Sequence, residues 1–292
     1  DTFTFASQEL GIQGAQQMRY TLPCGRFLPD ATDLNDDGRP EVVLTPYDTD
    51  LNEGPVEIWS FQRGRSRSEG HFEKVLTLGE NGPLLCRDVA DYDRDGLPEL
   101  LTAVNDDFQT WTPANLGELP TLQQYATEAT GFFAARFADA DGDGKGEIIG
   151  KDSLSNYQLL EFDGLHFTHA ATLADRSGGF QASAAPRAVV ADLDGNGRTE
   201  IVFGDGDGDF NLYTHTGLDN AYQHVFTHET DLQQAGAYLT SGDFDGDGQQ
   251  ELFVASHTSA LRVDSLQETP PPYWHLQIFE AAGVDDYQPV WE

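Results

Sequence analysis

The chain of 292 residues is long enough for one repeat-built domain or two ordinary ones, and its 50 Asp and Glu against 16 Lys and Arg leave a formal charge of −34. That balance excludes nucleic acid and anionic membrane surfaces as partners, because both are held by basic patches that displace counterions; cations are the expected company. Membrane insertion is not expected either, since no window approaches the roughly 18 uninterrupted apolar residues of a span.

Residues 1–26 open with "DTFTFASQEL", which has neither an initiator Met nor a charged and apolar leader, as in a mature processed protein or a trimmed chain. Within this segment "TFTFASQELG" reads as a β-strand. Cys24 comes next, and Cys86, the other cysteine, likewise sits a few residues ahead of an acidic motif. The pair is too small for a zinc ribbon or a disulfide scaffold, and permits either one bridge or two buried thiols.

From residue 32 onward one pattern recurs: "TDLNDDGRPEVV" from Thr32, "ADYDRDGLPELL" from Ala90, "ADADGDGKGEII" from Ala138, "ADLDGNGRTEIV" from Ala191 and "GDFDGDGQQELF" from Gly242. The first aspartates, Asp33, Asp91, Asp139, Asp192 and Asp243, are 58, 48, 53 and 51 residues apart. A near-constant period with one motif in each marks a repeat architecture. Each motif is entered by a strand, A, and its glutamate leads into an apolar pair that reads as a second strand, B, buried on both faces.

A third strand, C, ends at a glycine turn ("VEIWSFQRG", "YQLLEFDG", "FNLYTHTG", "HLQIFEAAG"), and a fourth, D, follows ("FEKVLTLG", "HFTHAATL", "YQHVFTHE", "DYQPVWE"). In the second repeat, "FQTWTPANLG" and "TLQQYATE", Pro113 predicts a broken or exposed edge. Four strands per repeat of this length make one blade of a β-propeller. The expectation is therefore an all-β chain forming one propeller over 1–292, five-bladed, with six blades as the alternative. The strand in 1–26 either adds to the last blade to close the ring or is the remnant of a sixth.

The motif's chemistry is legible position by position. Positions 1, 3 and 5 are Asp33, Asn35 and Asp37; Asp91, Asp93 and Asp95; Asp139, Asp141 and Asp143; Asp192, Asp194 and Asn196; Asp243, Asp245 and Asp247. Position 6 is always Gly, and position 9 is Glu41, Glu99, Glu147, Glu200 or Glu251. Alternate side-chain oxygens converge if the chain curls, glycine permits the curl, and the glutamate closes the shell. Hard, charged oxygen ligands describe Ca²⁺ better than zinc, copper or Mg²⁺. An EF-hand is excluded, because its closing Glu belongs at position 12 and these loops carry Leu44, Thr102, Gly150, Phe203 and Val254 there. The competing reading is a metal-free turn held by Asx hydrogen bonds.

These five loops, D-x-[DN]-x-[DN]-G-x-x-E followed by an apolar pair, resemble the FG-GAP or VCBS-type repeats of the integrin α-subunit propeller and its relatives. The resemblance covers roughly residue 27 to the C-terminus, although the tetrapeptide FG-GAP itself is absent. It implies a propeller with a Ca²⁺ ion in the A–B loop of each blade, about five in all. It further implies that the backbone carbonyl of position 7, here Arg39, Leu97, Lys145, Arg198 and Gln249, joins positions 1, 3, 5 and 9 as a ligand.

A closed shell drawn from one hairpin leaves no open coordination position, so the ions are expected to be structural. Recognition then belongs to the opposite rim, where B–C loops group carboxylates with aromatic rings. Candidate ligand-binding residues there are Tyr47, Asp48, Asp107, Trp111, Tyr157, His257, Tyr273 and Trp274. Acids that accept hydroxyl hydrogen bonds beside rings that stack on C–H faces suit sugars, against the simpler reading of solvated turns and core aromatics. His224 with His228, and His166 with His169, are strand-edge pairs for which zinc is the lesser reading.

No G-x-S-x-G, P-loop or H-E-x-x-H motif is present, so an enzyme is not favoured. The expected function is a secreted, extracellular or periplasmic, binding module for carbohydrate or a cell-surface protein. The alternatives are a lyase or glycosidase on a propeller scaffold and a structural domain of a larger adhesin. Oligomeric state is left open.

Overall fold

The apolar pair after each motif lies in a strand of an antiparallel sheet, and five such sheets account for the regular structure of the described residues. The computed structural model describes residues 32–44, 56–62, 71–78, 85–91, 95–104, 107–112, 118, 121–123, 135–151, 156–163, 166–177, 188–204, 209–229, 237–257 and 274–291. All regular elements among them are strands. No helix among the described residues is long and apolar enough to cross a membrane. The chain divides into two compact units, Asp1–Tyr125 and Ala126–Glu292.

In the first unit β1 (Glu41–Leu44), β2 (Val56–Gln62) and β3 (His71–Leu78) pair in that order. The strand entering this loop is represented by one bridge, Thr32 to Glu41. The next sheet contains β4 (Leu85–Ala90), β5 (Glu99–Val104), β6 (Asp107–Thr112) and the three-residue β7 (Thr121–Gln123). β6 stops at the residue before Pro113, where the ring disfavours continuation and removes a donor.

The second unit holds three four-stranded sheets. They are β8 (Ala135–Ala138), β9 (Glu147–Lys151), β10 (Tyr157–Phe162) and β11 (Phe167–Leu173); β12 (Val189–Ala191), β13 (Glu200–Gly204), β14 (Phe210–His215) and β15 (Tyr222–His228); and β16 (Ala237–Gly242), β17 (Glu251–His257), β18 (Trp274–Gly283) and β19 (Asp286–Trp291). Each runs A-B-C-D with the acidic motif between A and B. β9 and β13 are buried at every residue, as apolar runs without alternation predict.

One local irregularity recurs. The C–D register shifts between Ile58 and Trp59, Leu159 and Leu160, Leu212 and Tyr213, and Ile278 and Phe279. A bulge at the same place in four sheets sharpens the twist of each outer strand in the same way.

Successive sheets share their cores. In the first unit Leu34, Val43, Val56, Ile58 and Leu78 pack with Leu100 of the next sheet. In the second, Ala140, Ile149, Tyr157 and Leu159 pack with Ile201, Phe203 and Tyr213; the rings of Tyr157 and Phe203 stack at 4.2 Å. Val202, Phe210 and Leu212 pack in turn with Leu252, Val254, Phe279 and Tyr287. A single sheet cannot bury both of its faces, so each repeat is completed by its neighbour.

Candidate metal centre

Each A–B loop curls at its position-6 glycine: Gly38, Gly96, Gly144, Gly197 and Gly248 have φ of 82°, 94°, 96°, 82° and 94°. A side chain would be strained in this left-handed conformation. The glutamate at position 9 then reaches back over the loop. Its Oε2 accepts the backbone N–H of position 2 from Leu34 (3.0 Å), Ala140 (2.6 Å), Leu193 (2.7 Å) and Phe244 (2.6 Å). Fixed at this point, Glu41, Glu147, Glu200 and Glu251 are 1%, 0%, 0% and 3% exposed.

The aspartates hold the loop backbone as Asx turns do, with Asp143 N–H on Asp141 Oδ1 at 3.0 Å, Gly197 N–H on Asp192 Oδ2 at 2.9 Å and Gly246 N–H on Asp243 Oδ1 at 2.6 Å. Those bonds leave other oxygens facing inward. Ligand atoms of Asp243, Asp245, Asp247 and Glu251 lie within 4.8 Å of one another, as do those of Asp139, Asp141 and Glu147 and those of Asp192, Asp194 and Glu200. Asp93 lies outside the described residues of the second loop.

What separates these loops from ordinary acidic turns is the state of the buried oxygens. Glu147 Oε1, Asp141 Oδ2 and Glu251 Oε1 are buried and have no hydrogen-bond partner. Lys145 does not occupy the position, because its ammonium turns outward to Asp143 Oδ2 (2.9 Å) and Glu161. Burial pushes the Glu147 carboxyl up to about 8 and the Glu200 carboxyl up to about 7; the loop aspartates add to the rise and the position-2 N–H opposes it. Burial raises Glu41 and Asp141 in the same direction. Converging carboxylate oxygens that are buried, partly unpartnered and reluctant to ionise fit a hard divalent cation, which would stabilise the ionised forms.

The register also exposes a partner the motif does not contain. Opposite each position-9 glutamate on the C strand stand Ser60, Glu161 and Thr214, with Thr112 and Glu280 at the matching positions of the second and fifth sheets. Where this residue carries a hydroxyl it donates to the glutamate: Thr112 to Glu99 Oε1 at 3.2 Å, Thr214 to Glu200 Oε1 at 2.9 Å, and Ser60 to Glu41. Where it is a glutamate, in the third and fifth sheets, the position-9 Oε1 is left without a partner. Glu147→Gln keeps an acceptor for Ala140 N–H while removing the charge. It is expected to weaken calcium binding at that site by at least about tenfold, since charged oxygens set the affinity, with the fold retained in circular dichroism and one fewer site in calorimetry.

With this geometry in view, residues 33–102 and 192–254 match the family model of the FG-GAP-like repeat. The chain carries FG-GAP-like repeats. The loop at 139–147 lies outside the matched segments, yet its position-9 glutamate and clustered aspartates reproduce the FG-GAP-like geometry of the loop at 192–200. No curated protein matches in sequence. Among solved structures, a Bacteroides uniformis protein proposed as a 6-phosphogluconolactonase is 15% identical over 89% of this chain and 71% of its own, with a TM-score of 0.52. A beta-xylosidase is 11% identical (92% and 97% covered, TM-score 0.48). An Agrocybe aegerita lectin specific for non-reducing terminal N-acetylglucosamine is 15% identical (80% and 65% covered, TM-score 0.46). At 15% identity the likeness to the Bacteroides protein is one of fold.

The candidate ligand-binding residues are placed less uniformly than the FG-GAP-like loops. Asp107 opens β6, and His257, which closes β17, pairs in register with Trp274 at the start of β18. Tyr157 is fully buried in the core between two sheets, so its ring is not available to a ligand. Trp111 is half-buried against the first core, and its indole donates to Thr102 Oγ1 at 2.8 Å. Tyr47, Asp48, Tyr273 and Cys24 lie outside the described residues, and the side chain of Cys86 does also. His224 bonds Thr227 Oγ1 at 2.7 Å, whereas His228 packs among the rings of Phe210, Phe226 and Phe279.

Proposed function

We propose that the chain is a secreted, extracellular or periplasmic, β-propeller of five blades whose A–B loops each hold one structural Ca²⁺. Its opposite rim binds carbohydrate or a cell-surface protein. The observation that carries the calcium reading is the buried position-9 glutamate beside converging aspartates, with its Oε1 in the third and fifth loops left without a hydrogen-bond partner. Positions 1, 3, 5 and 9, with the carbonyl of position 7, would hold the ion, and the ion would supply fixed positive charge. Six blades remain the alternative closure.

Support for recognition at the far rim comes from register. From Glu251 to His257 the B strand spans about 20 Å at the usual rise per residue, which separates the ion loop from the B–C end where His257, Trp274 and, in the second sheet, Asp107 lie. A glycan array probed in calcium and again in EDTA tests the reading, followed by an assay for unsaturated or reducing ends. Calcium-dependent binding without release is expected. Release would replace the binding module with a lyase or glycosidase, and no glycan binding by the calcium-loaded protein would leave the cell-surface protein as the ligand.

A further inference from the structure

Within the second unit, the turn between the C and D strands of one repeat lies against the acidic loop of the repeat before it. Asp285 N–H, in the β18–β19 turn, donates to Asp194 Oδ2 at 3.1 Å. In the preceding pair Asn220, in the β14–β15 turn, donates to Glu161, and Thr199 donates to the carbonyl of Ala140. Both turns are tightened by an aspartate in the left-handed region, Asp219 with φ 38° and Asp285 with φ 59°.

Each turn delivers a tyrosine at its exit. Tyr222 pairs with His215 and Tyr287 with Ala281, the positions occupied by Phe72 and Phe167 opposite Phe61 and Phe162 in the first and third sheets. Tyr287 is 7% exposed, and the hydroxyls of both tyrosines are buried without a hydrogen-bond partner. Burial and then the carboxylates of Glu147, Asp141 and Asp139 hold the Tyr222 phenol above its ordinary range; burial and then Glu200, Asp194 and neighbouring aspartates do the same for Tyr287. In each case the carboxylate with the largest effect is the position-9 glutamate of the preceding repeat. Tyr287 belongs to the buried core that contains Leu193, and Tyr222 packs against the core that contains Ala140, the position-2 residues of the two loops. Each phenol is thus a buried donor beside an acidic loop and lacks an acceptor.

We propose that Tyr222 and Tyr287 complete the ion sites at 139–147 and 192–200. Each phenol donates a hydrogen bond to a ligand carboxylate or to an ion-bound water, so that each ion ties two successive repeats. This rests on the calcium reading above. It makes the two sites inter-repeat and separates them from a loop that closes on its own residues alone. An orphaned hydroxyl destabilises the ion-free protein and becomes a partnered one only when the ion draws the shell together.

The test compares the whole chain with Tyr222→Phe and Tyr287→Phe, by calcium calorimetry, by tyrosine-sensitised luminescence of bound Tb³⁺, and by melting in calcium and in EDTA. Each variant is expected to weaken one site by about tenfold, as loss of a hydrogen bond to a charged group does, and to lose part of the sensitised emission. In EDTA its melting temperature should match or exceed that of the parent, while its gain on adding calcium is smaller. If the parent binds calcium and both variants titrate, emit and melt as it does, the tyrosines are not part of the sites and the calcium reading stands. Equal destabilisation in calcium and in EDTA assigns the hydroxyls a purely structural partner and also overturns the proposal. A parent that binds neither Ca²⁺ nor Tb³⁺ removes both readings together.

Discussion

Excess EDTA is expected to lower the melting temperature of the protein by about 15 °C or more, and added Ca²⁺ to restore it, with Mg²⁺ far less effective. An ion that binds only the folded state stabilises it by roughly 2.7 kcal/mol per site at a hundredfold excess over the dissociation constant. One ion at each of the three loops where carboxylates converge among the described residues would together contribute on the order of 8 kcal/mol, comparable with the whole stability of an ordinary domain of about 5–15 kcal/mol. The formal charge of −34 works in the same direction, because removing divalent cations exposes the chain to its own repulsion. Differential scanning calorimetry in calcium, magnesium and EDTA measures the effect. An unchanged transition would mean that the Asx hydrogen bonds alone hold the loops.

Stability is also expected to depend on pH in EDTA and to lose that dependence in saturating calcium. In EDTA the Glu147 and Glu200 carboxyls stand at about 8 and about 7 in the folded chain against an ordinary 4.5. Between about pH 4.5 and 8 the folded state therefore binds protons that the unfolded state has released, so stability falls as pH rises through that window. For Glu147 alone this amounts to roughly 4–5 kcal/mol at 1.36 kcal/mol per unit. In saturating calcium the ion holds these carboxylates ionised, so neither the folded nor the unfolded state exchanges protons at them over the same interval and their contribution to the slope vanishes. Urea denaturation at three pH values with and without calcium reads both slopes. Parallel slopes would show that no cation engages these glutamates.

What the sequence made legible follows from how local each interaction is. The acidic loop is encoded within nine consecutive residues, and its glycine and glutamate need no distant partner to fold it, so the motif could be read position by position. The B strands were readable because two apolar residues after an acidic turn leave few alternatives, and the break at Pro113 because proline acts on its own backbone. Tyr157 was misplaced on the rim because it stands at the edge of a polar loop. Its alternation with Leu159 on one face of β10 is the signal that assigns it to the core.

The hydroxyls of Ser60, Thr112 and Thr214 could not be seen, since cross-strand register decides which residue faces the glutamate. Tyr222 and Tyr287 are harder still. They read as ordinary strand aromatics until the packing of one repeat on the next brings each of them to a loop some eighty residues or more earlier in the chain.

The position-9 glutamate is both the lid of an acidic loop and the first residue of a B strand, and that double duty bears on how the chain avoids misassembly. Five near-identical motifs offer many wrong hairpins, and a slip of one residue in any strand sends every side chain to the opposite face. A slipped B strand would carry its glutamate away from the aspartates and could not bind an ion. Calcium present during refolding would therefore reward only correctly aligned hairpins, acting as a proofreader of strand pairing as well as a brace for the finished sheets.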